Sequence, residues 1–127
     1  KVSIKRNALQ YLCGEVVNNR DINLYNNGSD IRDFMHVDDV CAAMKLCMER
    51  SPVNEIYNIG SGIPRQFGEI MESKSQFISV EPPDFHKKVQ VKDMYLDTTK
   101  IRSLGFKPKK DIWRQIDKII NITKEKI

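Results

Sequence analysis

Arg32 opens the stretch RDFMHVDDV, residues 32–40. An always-charged, forked donor at the start of a strand suits a diphosphate, which it can meet with two hydrogen bonds. The same residue also reads as a surface arginine paired with Asp33 or Asp30. Asn58, near the end of the run Tyr57-Asn58-Ile59-Gly60, can donate to a substrate or bond the neighbouring loop backbone. His36 and Asp38 alternate on one strand face, which brings a metal pair to mind. Two residues do not make a site, however, and no third ligand is near in sequence. His36 therefore reads as a packed or hydrogen-bonded histidine, and Asp39 as a helix cap rather than a catalytic acid. Cys41 and Cys47 are six positions apart, which matches no zinc spacing.

The elements that must position these residues follow from spacing. Phe34, Met35 and Val37 form a short apolar run broken by His36, which predicts a strand. Val40, Ala43, Met44, Cys47 and Met48 then recur at the spacing of a one-faced helix. Asp38 or Asp39 is the expected N-cap, because a short carboxylate accepts hydrogen bonds from the orphan amides of a first turn. Ser51-Pro52 should end this helix near Arg50. Ahead of it, Ser3 to Asn18 reads as a helix, Ile22 to Tyr25 as a strand, and Asn26-Asn27-Gly28-Ser29-Asp30 as a turn whose Asn and Gly tolerate positive φ.

After the central helix, Glu55 to Ile59 is expected as a strand closed by Gly60-Ser61-Gly62. Phe67 to Glu72 looks like the start of a helix that stops short of the usual length of about 11–12 residues. An interruption of the chain between Glu72 and Ser73 is the expectation drawn from that. Phe77 to Val80 is a strand, halted by Pro82-Pro83. Asp84 to Tyr95 is a polar segment. Asp97-Thr98-Thr99-Lys100 starts a helix that Leu104-Gly105-Phe106 stops. Asp111 caps a last helix with Ile112, Ile116, Ile119, Ile120 and Thr123 as its buried stripe.

The motif R-D-[FYW]-x-[HY]-V-x-D-[VL] at residues 32–40, preceded by a turn and followed by Tyr57-Asn58-Ile59-Gly60-Ser61-Gly62, resembles the extended short-chain dehydrogenase/reductases. That family includes NAD-dependent nucleotide-sugar epimerases and dehydratases, UDP-glucose 4-epimerase among them. The resemblance runs from about Asn7 to about Ile120 and covers the C-terminal part of such an enzyme. It implies an α/β fold in which residues 1–127 are the C-terminal substrate-binding region of a Rossmann-type enzyme. About 32–59 are expected to join the edge of a nucleotide-binding domain. The Gly-x-x-Gly-x-x-Gly phosphate loop and the Tyr-x-x-x-Lys pair of the family are not in this sequence. Gly60-Ser61-Gly62 lacks the third glycine and the acidic residue about 20 positions on.

The resemblance also implies roles. Arg32 would hold a nucleotide-sugar diphosphate, and Tyr25 would lie against the nucleotide base; from the residues alone, Tyr25 is a strand tyrosine packing on the core. Lys87 stands where relatives often carry a second diphosphate-binding arginine. The segment here is Asp84-Phe85-His86-Lys87-Lys88, so a lysine, Lys87 or Lys88, would supply charge without the fork. NAD or NADP, bound mainly outside this chain, would oxidise a sugar carbon, and the fragment alone would be inactive. Rivals are a reductase or decarboxylase of the same superfamily, and a non-enzymatic relative that binds a partner protein. A homodimer is implied for the full-length enzyme.

Bulk properties narrow the classes. The chain has 127 residues, one domain's worth, and its 21 basic and 17 acidic residues leave a net charge of +4. The charges are mixed along the chain, and the one dense cluster, Lys107-Pro108-Lys109-Lys110, reads as a solvated loop rather than a nucleic-acid footprint. Three cysteines, an odd count, read as buried free thiols of a reducing, cytoplasmic compartment. No run approaches the 18 apolar residues of a membrane span, and neither a membrane nor a nucleic acid is an expected partner. The chain opens without Met inside a helix pattern, as a partial sequence would.

Overall fold

The computed structural model describes residues 7–126. The chain order is α1 (Ala8–Val17), β1 (Ile22–Tyr25), β2 (Ile31–Asp33), α2 (Val37–Arg50), β3 (Pro64–Gln66), α3 (Phe67–Met71), β4 (Phe77–Val80), α4 (Asp84–Val89), α5 (Thr99–Ser103) and α6 (Ile112–Glu125). The fold is α/β, as the resemblance implies. Strands β1 and β4 run parallel, with Ile22 opposite Phe77 and Tyr25 opposite Val80. Strands β2 and β3 pair antiparallel, with Arg32 opposite Arg65 and Asp33 opposite Pro64. Pro64 has no N–H to offer a ladder, which an edge position at a strand end tolerates.

The main core sits between α1, α6 and the β1–β4 pair. Leu12 and Cys13 of α1, Ile22 and Leu24 of β1, Ile70 and Met71 of α3, and Ile116 and Ile120 of α6 are its buried members. The predicted isoleucine stripe of α6 is the face that packs there, with Asp111 as cap accepting from Arg114 N. A second, smaller cluster joins Ala43 of α2, Ile101 of α5 and Phe106, with Tyr57 and Ile59 packed against it.

Several expectations are corrected. Residues 3–6 of the predicted first helix lie outside the described residues, and the helix is capped by Asn7, whose side chain accepts from Leu9 N. The N-cap of α2 is His36, not Asp38 or Asp39: its Nδ1 accepts from Asp38 N at 3.0 Å. The helix therefore begins at Val37, and β2 stops at Asp33 rather than running on through Phe34 to Val37. Glu55 to Ile59 is not a strand. A strand needs a hydrogen-bonding neighbour, and the ladders among the described residues are β1–β4 and β2–β3, with a single bridge between Ile31 and Asp93. The expected interruption at Glu72 is absent: Lys74 N and Ser75 N both donate to Met71 O, so a hydrogen-bonded turn carries the chain onward from α3. The polar segment from Asp84 contains a helix, α4. Strand β3 had no signal in the sequence, being three residues with a proline.

The cysteines are free thiols, but not all buried as expected: Cys13 is buried and Cys47 half-buried, while Cys41 is exposed. Burial pushes the Cys13 thiol up to about 11, which keeps it protonated and inert.

Candidate functional site

The turn between β1 and β2 shapes one wall of a groove. Asn26, Asn27 and Gly28 all take positive φ, at 48°, 55° and 72°, as the Asn-Asn-Gly composition anticipates. Gly28 has a second reason to be glycine: a Cβ there would stand 2.8 Å from Gly68 Cα at the start of α3. This close approach seats the turn between β1 and β2 against α3. Tyr25 ends β1 and Arg32 sits on β2, and both border a groove of about 630 Å³ with Asp30, Phe67, His86 and Gln90. A smaller cavity of about 310 Å³ includes Tyr25 and His86 and reaches Lys87 and Lys92.

Arg32 is held by main chain rather than by a carboxylate. Its Nη1 donates to Ile31 O at 2.7 Å and to Lys92 O at 2.8 Å, and its Nη2 donates to Val91 O at 2.8 Å. Its Cζ lies 5.9 Å from the centre of the Phe67 ring. The two carboxylates that could have paired with it are engaged elsewhere. Asp30 accepts from Asn26 Nδ2 at 2.6 Å. Asp33 accepts from Ser61 N, Ser61 Oγ, Gly62 N and Leu96 N. Residues 91–94 lie along β2, with Ile31 N donating to Lys92 O and Met94 N donating to Ile31 O. Arg32 thus fastens this strap over one end of the groove.

Tyr25 is hydrogen-bonded through its hydroxyl to His86 Nδ1 at 2.8 Å, the rings meeting edge-on with centres 5.7 Å apart. Lys87 is an outer-cavity residue, and its Nζ stands 3.3 Å from Glu81. Lys88 is exposed and borders neither cavity. Asn58 Nδ2 donates to Asp97 O at 3.1 Å and also lies off the groove. The structure therefore gathers Tyr25, Arg32 and, at the outer end, Lys87, and leaves Asn58 and Lys88 apart from them.

Two residues the sequence reading passed over matter here. Asp33 looked like an ion-pair partner for its neighbour; it is instead the strut that ties β2 to the Gly60–Gly62 loop and to Leu96. His86 lay inside a segment read only as polar, and its bond to a residue 61 positions away left no local signal. Asp39 is a third tie. It is buried, and its two carboxylate oxygens accept from Lys109 N and Lys110 N at 3.0 and 2.9 Å. It holds the 107–110 loop to α2 rather than capping the helix. Beside it, a hydrogen bond from Lys110 holds the exposed Asp38 carboxyl below the usual carboxylate range.

A dinucleotide does not fit the one glycine pair that resembles a phosphate loop. The amides of Ser61 and Gly62 are already given to Asp33, so they cannot meet a pyrophosphate. A Cβ at Gly62 would fall 2.4 Å from Thr98 Oγ1, so this glycine serves packing. Among the described residues, no group of three or more His, Cys, Asp or Glu is placed to hold a metal ion. Nor is any helix there long and apolar enough to cross a membrane.

Comparison with known proteins shows what this chain is similar to. Residues 3–60 match the NAD dependent epimerase/dehydratase family. A low-salt glycan biosynthesis protein of Haloferax volcanii is 30% identical over 99 residues, covering 72% of this chain and 31% of that protein. A putative UDP-glucose 4-epimerase of Methanocaldococcus jannaschii is 29% identical over 110 residues, covering 84% of this chain and 35% of that protein. The chain thus spans about a third of the length of these relatives. In fold, it matches the UDP-glucose 4-epimerase of Thermotoga maritima, solved with UDP-glucose, at a TM-score of 0.74 and 23% identity; the match covers 94% of this chain and 40% of that one. The UDP-glucuronic acid 4-epimerase of Bacillus cereus, solved with UDP-glucuronic acid and NAD, also matches at 0.74, with 17% identity and 96% and 41% coverage. The RDFMHVDDV motif, the family match over residues 3–60 and the shared fold agree: this chain is similar to the NAD dependent epimerase/dehydratase family.

Proposed function

We propose that this chain is the sugar-nucleotide-binding part of an NAD-dependent nucleotide-sugar epimerase or dehydratase, of the UDP-glucose 4-epimerase kind. The observation that carries this reading is the convergence of Tyr25 and Arg32, from two separate strands, on one groove. Arg32, whose guanidinium is already fastened to main-chain carbonyls, brings positive charge to a diphosphate, and Tyr25 brings an aromatic ring to a base. Lys87 adds charge at the outer end. Asn58 and Lys88 enter the reading by their place in the motif alone. In the assembled enzyme, residues 32–59 would join the edge of a nucleotide-binding domain. That domain would hold NAD or NADP and carry out hydride and proton transfer, leaving recognition to this part. A homodimer is the proposed assembly, and the free thiols suit a cytoplasmic protein. Reduction is a second outcome for the same bound substrate, since one relative's name joins dehydratase, epimerase and reductase activities.

The test is calorimetric titration of UDP-glucose, and separately of NAD, into the protein expressed from its complete gene, with product followed by mass. Loss of a charged hydrogen-bonding partner of a desolvated anion costs roughly 2–5 kcal/mol. Arg32→Ala should show that loss for UDP-glucose, and Arg32→Lys a smaller one, because charge remains without the fork. NAD affinity should barely change. Unchanged UDP-glucose affinity in Arg32→Ala would return the residue to its role as fastener of the 91–94 strap. So would a large fall in melting temperature in the absence of ligand.

A further inference from the structure

We propose that His86 is a second anion-binding residue of the groove, one that makes sugar-nucleotide affinity depend on pH. The proposal rests on the reading of the groove given above and names how that site is tuned. Among the described residues, His86 is, apart from Arg32, the one side chain bordering the main groove that can carry positive charge. It is half-buried and borders both cavities, so it stands where they meet. Lys87, its neighbour, lies within 3.3 Å of Glu81 and borders only the outer cavity. Arg32 has already given three hydrogen bonds to main-chain carbonyls. A doubly charged diphosphate placed against Arg32 therefore finds its second cation in the imidazolium.

The Tyr25–His86 bond makes this possible in either state. With a neutral imidazole, Tyr25 Oη donates to Nδ1. With imidazolium, Nδ1–H donates to Tyr25 Oη, and Nε2–H is left as a charged donor. Tyr25 thus fixes the ring in both forms and passes no charge of its own. The charged and titratable groups bordering these cavities with His86 are Tyr11 on α1, Tyr25 on β1, Asp30 and Arg32 on or beside β2, Glu81 after β4, Lys87 on its own helix and Lys92 on the strap. Imidazole is the only chemistry in that set that ordinarily ionises between pH 5 and 8. The diphosphate of a sugar nucleotide does not titrate there.

The sign follows from linkage. A bound anion raises the pKa of the imidazole above its value in the free protein. The extra affinity is then fully present at low pH and is lost as pH rises through the bound-state pKa. A one-unit rise on binding corresponds to about a tenfold change in affinity.

UDP-glucose is titrated calorimetrically at constant ionic strength from pH 5.5 to 8.5 into wild-type protein, His86→Gln and Tyr25→Phe, each first checked by thermal melt. Gln keeps a partner for the Tyr25 hydroxyl but cannot charge. The expected result is about tenfold weaker binding by wild type at pH 8.5 than at pH 5.5. His86→Gln should give a flat profile near the wild-type high-pH affinity. Tyr25→Phe should keep the slope with weaker binding overall. A flat wild-type profile would overturn the role of His86 while leaving the groove reading intact. A slope that survives in His86→Gln would do the same, since it would then arise from another titrating group. Absence of UDP-glucose binding at every pH would overturn both.

Discussion

The molecule contains two hydrophobic clusters of very different completeness. The first, between α1, α6, α3 and the β1–β4 pair, is closed: Cys13, Ile22, Ile70, Met71 and Ile116 have no exposed surface. The second buries only Ala43, Ile101 and Phe106. Around it, Met44, Met48, Val53 and Ile56 stand in solvent, with Met48 at 87% and Ile56 at 84% exposure. Both regions are built from amphipathic pattern, yet the first buries far more of its apolar residues within the chain. An amphipathic stripe states that a face is to be covered and does not say by what. The apolar rim of the second cluster suits the proposal that residues 32–59 join a further domain. Polar ties do part of the work there instead. Asp33 and Asp39 fasten β2 and α2 to the 60–62 and 107–110 loops through main-chain amides.

This contrast can be broken most sharply at Ile116. It is fully buried in the closed core, and Ile116→Ala should cost about 2–5 kcal/mol. Urea denaturation should show a lower midpoint. A loss below about 1 kcal/mol would mean that the α1–α6 core is no better packed than its neighbour.

A middle-sized effect is expected at Asp39. In Asp39→Ala the amides of Lys109 and Lys110 lose their acceptor, and a buried unsatisfied donor costs roughly 1–3 kcal/mol. Hydrogen exchange should quicken at those two amides and along α2 before it quickens along α1. Uniform quickening across both regions would show that the two clusters unfold as one unit.

The smallest change in stability should come from the exposed rim. Met48→Gln with Ile56→Gln should alter unfolding free energy by no more than about 0.5 kcal/mol, as for surface substitutions generally. The same pair should reduce self-association measured by sedimentation, because an open apolar face favours it. A double variant that loses more than about 2 kcal/mol would mean that these side chains already have cover.

Much of the local structure was legible from the residues. The Asn-Asn-Gly turn, the Asp111 cap and the isoleucine stripe of α6 rest on backbone preference and helical period, which are properties of neighbours in sequence. Errors cluster where a distant partner decided. Asp39 carries the composition of a cap, but its carboxylate went to amides 70 and 71 positions away, and His36 took the cap. Glu55 to Ile59 carries strand residues with no ladder neighbour. Of the candidate site, Arg32 and Tyr25 were readable as types at element ends, whereas the strap that engages Arg32 and the histidine that holds Tyr25 were not.

By itself, then, the sequence marked most helices and strands and the family motif, and through the resemblance it implied the α/β class and proposed Tyr25 and Arg32 for a sugar nucleotide. Only the tertiary structure decided that Tyr25 and Arg32 face one groove, that His86 joins them, and that Asn58 and Lys88 stand apart. The reason is one of range. Turn and helix preferences act over four or five residues and are written in local composition. A groove is made by contacts such as Gly28 on Gly68 and Tyr25 on His86, and chain entropy lets many such pairings compete until packing selects one.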